Sequence, residues 1–130
     1  PKANPLSTLG PVCYLLTAAE IFRASGSVAW LQERLPSIEA ASKFLLSRKS
    51  ENGLIGGSGF YVESPPRFGW DGITQCYVIH AFRELAQLLR AAGERKSAAA
   101  WSAQADTLTK TFTAAFWRQD HFAEYIHAER

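Results

Sequence analysis

Residues 51–75 read ENGLIGGSGFYVESPPRFGWDGITQ. The stretch holds Gly53, Gly56, Gly57, Gly59, Gly69 and Gly72 and the pair Pro65-Pro66, residue types that interrupt helices and strands alike. Phe60, Tyr61, Phe68 and Trp70 stand among them, with Glu63, Arg67 and Asp71 in between. A connection between two helices needs only about 2–8 residues. This one is far longer, and aromatic rather than merely polar. That composition on a helical scaffold reads as a functional loop, one wall of a cleft.

The loop is flanked by helical patterns. Upstream, apolar residues recur at helical spacing over Pro11 to Ala24 (Val12, Leu15, Leu16, Ala19, Phe22), and Ser7 or Thr8 is placed to cap them. Gly26 is free to take the left-handed conformation that ends a helix. Ser27 to Leu35 reads as a helical turn or the beginning of the next helix. Pro36 resets the pattern, and a second helix is expected over Pro36 to Arg48. Downstream, Ile73 to Ala92 is apolar nearly all round in its first half, the mark of a helix buried on most sides. His80 is read there as a satisfied core histidine. Lys96 to Phe116 alternates an apolar face (Trp101, Ala105, Leu108, Phe112, Ala115) with a polar one. The tail from Trp117 is aromatic and charged, with short extended pieces expected around Phe122 to Ile126.

Composition narrows the function. At 130 residues with 47% hydrophobic content, the chain is long enough for a packed core. Its net charge is +2, with Lys and Arg dispersed, so no basic face for nucleic acid is expected. No apolar run approaches the ~20 residues of a membrane span. Cys13 and Cys76 both fall on apolar helical faces and read as two buried thiols rather than a disulfide or metal site. The compartment stays open. The chain contains no methionine and begins at Pro1, and it reads as an internal piece of a longer protein.

A repeat organises these elements. RASG at 23–26 recurs as RAAG at 90–93, and after each comes an amphipathic helix and then an aromatic, polar stretch. The chain is therefore all-α, two helical hairpins of one kind, each with a short RAxG turn at one end and a long loop at the other. Such units need neighbours to bury their apolar faces. Helices one and three should be inner, two and four outer, with both long loops at the N-terminal ends of the inner helices.

Two hairpins of this length, with Asn52-Gly53-Leu54-Ile55 before the loop and Arg67-Phe68-Gly69-Trp70-Asp71-Gly72 opening an inner helix, resemble the six-hairpin glycosidases, nearest the bacterial alpha-L-rhamnosidase and glycogen-debranching-like groups. The R-x-G-W-x-(G)-D neighbourhood of the rhamnosidases is similar to Arg67 to Asp71, although here Asp71 directly follows Trp70. The resemblance implies an (α/α)6 toroid, of which two hairpins form about a third, since six at this repeat length need about 400 residues. It implies glycoside hydrolysis by two carboxyl groups, without metal or organic cofactor. The partners implied are an oligo- or polysaccharide substrate and the remaining hairpins of the domain.

Within that expectation Asp71 and Glu63 are the candidate catalytic carboxyls. Asp71 opens a buried helix and is equally a good N-cap; a cap carboxylate favours ionisation, which suits a sugar ligand better than a proton donor. Glu63 lies beside Tyr61 and Val62, where partial burial favours the protonated form an acid catalyst needs; a salt bridge to Arg67 is the plainer alternative. Trp70 and Tyr61 are candidate stacking platforms, and Arg67 and Gln75 candidate donors to sugar hydroxyls. Trp117, Asp120 and Glu124 form a candidate second cleft segment. His121, Glu124 and His127 lack the spacing of a metal motif. Two rivals stand beside this reading. A sugar 2-epimerase or polysaccharide lyase on the same toroid would use histidine or tyrosine, so His80 or Tyr77 facing the central cavity favours it. A non-catalytic helical-repeat scaffold requires short turns at both ends of each hairpin.

Overall fold

A computed structural model describes residues 8–56 and 69–127. Four helices dominate: α1 (Leu9–Ser25), α2 (Val28–Ser47), α3 (Gly72–Ala91) and α4 (Arg95–Phe116). Among the described residues there are also four short strands, β1 (Gly69–Asp71) before α3, and β2 (Trp117–Arg118), β3 (His121–Phe122) and β4 (Tyr125–His127) after α4. The helices form two hairpins, α1 with α2 and α3 with α4, and α3 also packs against α1 and α2. The expectation of an all-α chain of two helical hairpins holds.

Both short turns close as the RAxG repeat requires. Gly26 has φ 62° and its N–H donates to Phe22 O at 2.7 Å. Gly93 has φ 85°, with its N–H on Arg90 O and that of Glu94 on Leu89 O, the paired bonds of a Schellman ending. A side chain at either glycine meets nothing within 4 Å, so the backbone conformation alone selects glycine.

α2 corrects the sequence reading. It begins at Val28, capped by Ser27 Oγ accepting from Trp30 N–H at 3.2 Å, and passes through Pro36 without a break. A proline inside a helix costs about 3 kcal/mol. Leu31, Ile38 and Leu45, fully buried and seven residues apart, lie on one face across the proline, and their packing holds the two halves in line.

α3 is the centre of the molecule: twelve of its residues are buried, against four in α1, four in α2 and five in α4. α1 is thus no more enclosed here than the expected outer helices. The core joins Val12, Leu15 and Ala19 of α1, Leu31, Ile38 and Leu45 of α2, and Val78, Phe82, Leu85 and Leu89 of α3 to Trp101, Ala105 and Leu108 of α4. Phe82 and Trp101 pack with ring centroids 5.0 Å apart. Cys76, Tyr77, His80, Arg83, Gln87 and Arg90 form an exposed stripe along α3. The two thiols and His80 are accordingly not buried. Among the described residues no element covers the α3 face that carries Cys76 and His80, because α3 spends its other sides on α1, α2 and α4.

Candidate functional site

The loop end is assembled from three pieces of chain. The first is a tight turn after α2. Lys49 bridges Ile55, Ser50 N–H bonds Leu54 O at 2.8 Å, and Asn52 Oδ1 accepts from Leu54 N–H. Gly53 takes φ 83°, and a Cβ there would stand 3.1 Å from Thr111 Cγ2 of α4. The turn thus lies against Thr111 of α4, and its Leu54 and Ile55 are 1% and 2% exposed.

The second piece is β1 and the start of α3. Asp71 is the N-cap: Oδ1 accepts from Thr74 N–H at 2.6 Å and Oδ2 from Thr74 Oγ1–H at 2.7 Å. Both carboxylate oxygens thus hold the first turn. Trp70 is half-buried and its indole N–H donates to Ser50 Oγ at 3.0 Å, tying β1 to the first turn. Gln75 is fully buried; its amide bonds the Ile55 peptide on both sides and turns inward.

The third piece is the tail. β4 pairs antiparallel with β1, setting Gly69 opposite His127, Trp70 opposite Ile126 and Asp71 opposite Tyr125. Gly72 N–H donates to Glu124 O at 2.8 Å. β2 and β3 form a small hairpin folded back on α4 by Ala123 N–H to Phe116 O, 2.7 Å. Phe122 stacks on Phe112, and Trp117 meets Phe122 edge-on at 4.9 Å. Arg118 Nη1 donates to the carbonyls of Ala115 and Trp117, closing the end of α4.

The described parts of the two long segments lie at one end of the hairpins, as the repeat requires. Trp70, Asp71, Gln75, Trp117, Asp120 and Glu124 are all there. Glu63, Arg67 and Tyr61 lie outside the described residues. Strand alternation adds what the sequence reading missed. Directly opposed residues share a face, so Asp71 joins Tyr125 and His127 on one side of β1–β4, while Trp70 and Ile126 take the other. Tyr125 and His127 meet edge-on with centroids 4.8 Å apart. Their period-two spacing around Ile126 is the signal that points to them. Trp117 and Phe122 stay exposed, and Asp120 bonds the neighbouring His121 at 2.6 Å. Cys76, a turn beyond Asp71, has its thiol pushed up by partial burial and then by the Asp71 charge.

Comparison with known proteins agrees with this architecture. Residues 11–129 match the family described as bacterial alpha-L-rhamnosidase six-hairpin glycosidase domain. The fold is similar to that in a crystal structure of a GH78 family rhamnosidase of Bacillus sp. GL1, with a TM-score of 0.79 and 23% identity over 89% of this chain. The matched part is 13% of the length of that rhamnosidase chain. No protein of curated function matches. With nearly the whole chain matched, the chain belongs to the bacterial alpha-L-rhamnosidase six-hairpin glycosidase domain family.

Proposed function

We propose that the chain is about a third of an (α/α)6 catalytic domain, and that the complete protein hydrolyses glycosidic bonds by two-carboxylate acid–base chemistry. The observation that carries this is the pairing of β1 with β4, which gathers Trp70, Asp71 and Glu124 onto one rim of the hairpins. Glu63 is the proton donor in this reading. Asp71, whose oxygens hold the α3 cap, orients sugar hydroxyls from the rim; the second carboxylate comes from another hairpin. Exposed Trp117 and Phe122 offer an aromatic surface on which the apolar face of a pyranose ring stacks. The rhamnosidase likeness makes alpha-L-rhamnosides the first substrates to try.

The test uses the full-length protein with 4-nitrophenyl alpha-L-rhamnopyranoside and a panel of other aryl glycosides. Release of nitrophenolate from at least one, with a Glu63→Gln loss that is larger on a natural disaccharide than on the aryl glycoside, supports the reading. An aryl leaving group needs little protonation, which is why the two substrates separate an acid catalyst from a structural residue. A folded protein that hydrolyses none of them overturns it.

One observation favours a second reading. Tyr77 and His80 share the exposed stripe of α3. If that stripe faces the central cavity, proton transfer by tyrosine and histidine, as in a sugar epimerase or a polysaccharide lyase, becomes available. An epimerised or unsaturated sugar product, lost in His80→Ala, identifies it.

A further inference from the structure

Gln75 is a buried side chain with its amide bonded wholly to backbone. Oε1 accepts from Ile55 N–H at 2.8 Å, and Nε2 donates to Ile55 O at 2.8 Å and to Asp71 O at 3.2 Å. The amide therefore pairs with Ile55 as a peptide group of a neighbouring strand would. It does so from the first turn of α3, where an apolar side chain would fill the same space without bonds. Ile55 and Asp71 belong to the two chain segments that flank residues 57–68. A second bond joins the same segments, from the Trp70 indole to Ser50 Oγ. Both partners of that bond lie toward the surface, whereas Gln75 is 0% exposed and shielded from competing water.

We propose that Gln75 is a positioning residue for the reaction, and not a ligand of the sugar: it locks β1 against the 49–56 turn, and so sets where Trp70 and Asp71 stand. This rests on the glycosidase reading for its effect on rate, but not for its effect on the backbone. Gln75→Leu keeps volume and removes all three bonds, taking from the Ile55 N–H and carbonyl their side-chain partner. Gln75→Glu keeps the length and the acceptor for Ile55 N–H. As a carboxylate it donates nothing and faces two carbonyl oxygens; as a carboxylic acid it regains one donor.

The experiment is hydrogen exchange and steady-state kinetics of the full-length protein carrying each change. Removing the bonds frees a local opening. Exchange over residues 49–56 should then rise about tenfold or more, the equivalent of one or more lost hydrogen bonds, while the middle of α4 keeps its protection. Misplacement of the rim by about an ångström lowers kcat by about 10²-fold, with KM changing much less. Gln75→Glu should recover toward wild type, in exchange and in kcat relative to wild type, as pH falls; Gln75→Leu should not. Should Gln75→Leu fail to fold, Gln75→Glu across pH carries the same comparison. Unchanged exchange over 49–56, or an even rise across α3 and α4 with kcat intact, overturns the proposal. A wild-type protein without glycosidase activity sinks the glycosidase reading instead, and the exchange result alone then decides the role of Gln75.

Discussion

The two ends of these hairpins are built by different physics. At the turn end, Gly26 and Gly93 close each hairpin with backbone bonds to residues three to five positions earlier. Near it the ion pair of Arg23 with Glu84 links α1 to α3, beside a cleft of ≈ 160 Å³. At the loop end local caps and turns are joined by bonds that are long-range in sequence: Gln75 to Ile55, Trp70 to Ser50, β1 to β4, Gly72 to Glu124. Local closure makes an end that is chemically plain. Long-range closure brings carboxylates and rings from distant segments to one rim, and makes that rim depend on several contacts at once.

Breaking the loop end at its buried anchor should have the largest effect on stability. Phe116 is fully buried, packs on Phe112 and lies 3.5 Å from where a Gly72 Cβ would be. Phe116→Ala should cost about 3–5 kcal/mol in denaturant unfolding of the full-length protein. A cost below about 1 kcal/mol would mean that the tail does not rest on this ring.

Next come the turn glycines. Gly93→Ala places a Cβ in the left-handed region, at a cost of about 1–2 kcal/mol. The same change at Gly72 acts differently, because a Cβ there meets the Ala123 and Glu124 carbonyls at 3.3 and 3.4 Å. Gly72→Ala should loosen β1–β4 and be visible as faster exchange at residues 69–72 and 124–127. Equal exchange patterns in the two variants would erase the distinction between the ends.

How much of this was legible in the sequence follows the same division. The RAxG turns, the bounds of α1, α3 and α4 to within two residues, and the convergence of the described loop segments were readable because glycine chemistry and 3.6-residue periodicity are local signals. Pro36 misled because its local penalty is outweighed by Leu31, Ile38 and Leu45 packing across it. His80 and the two cysteines misled because apolar neighbours in sequence do not say which side of a helix is covered. At the site, Asp71 could be read as a cap, since Thr74 lies three residues on. The inward turn of Gln75 and the opposition of Asp71 to Tyr125 could not, because both depend on chain 20 or more residues away.

Smaller effects sharpen the contrast. Removing the ion pair by Glu84→Gln should cost under about 1 kcal/mol, because Arg23 is 45% exposed and also bonds Glu20 at 2.5 Å. At the loop end, Cys76 should react with a thiol reagent more slowly than Cys13. Its raised value means that the folded protein holds the thiol proton more tightly. Any stability from it is full below the ordinary value of 9.0 and is lost as pH rises through the folded value. Asp71→Asn removes the second cause of that rise and should speed the reaction of Cys76 without touching Cys13. Identical rates before and after the change would separate Asp71 from Cys76 electrostatically.

The central claim is that function sits at the loop end and plain stability at the turn end. The most direct test compares Asp71→Asn with Gly93→Ala in the full-length protein, measuring kcat/KM on the responsive aryl glycoside and Tm in parallel. Asn caps a helix about as well as Asp, so Asp71→Asn should lower kcat/KM while Tm stays close to wild type, and Gly93→Ala should lower Tm while kcat/KM stays. Full activity in Asp71→Asn, or a loss of kcat/KM in Gly93→Ala as large as in Asp71→Asn, would contradict the account.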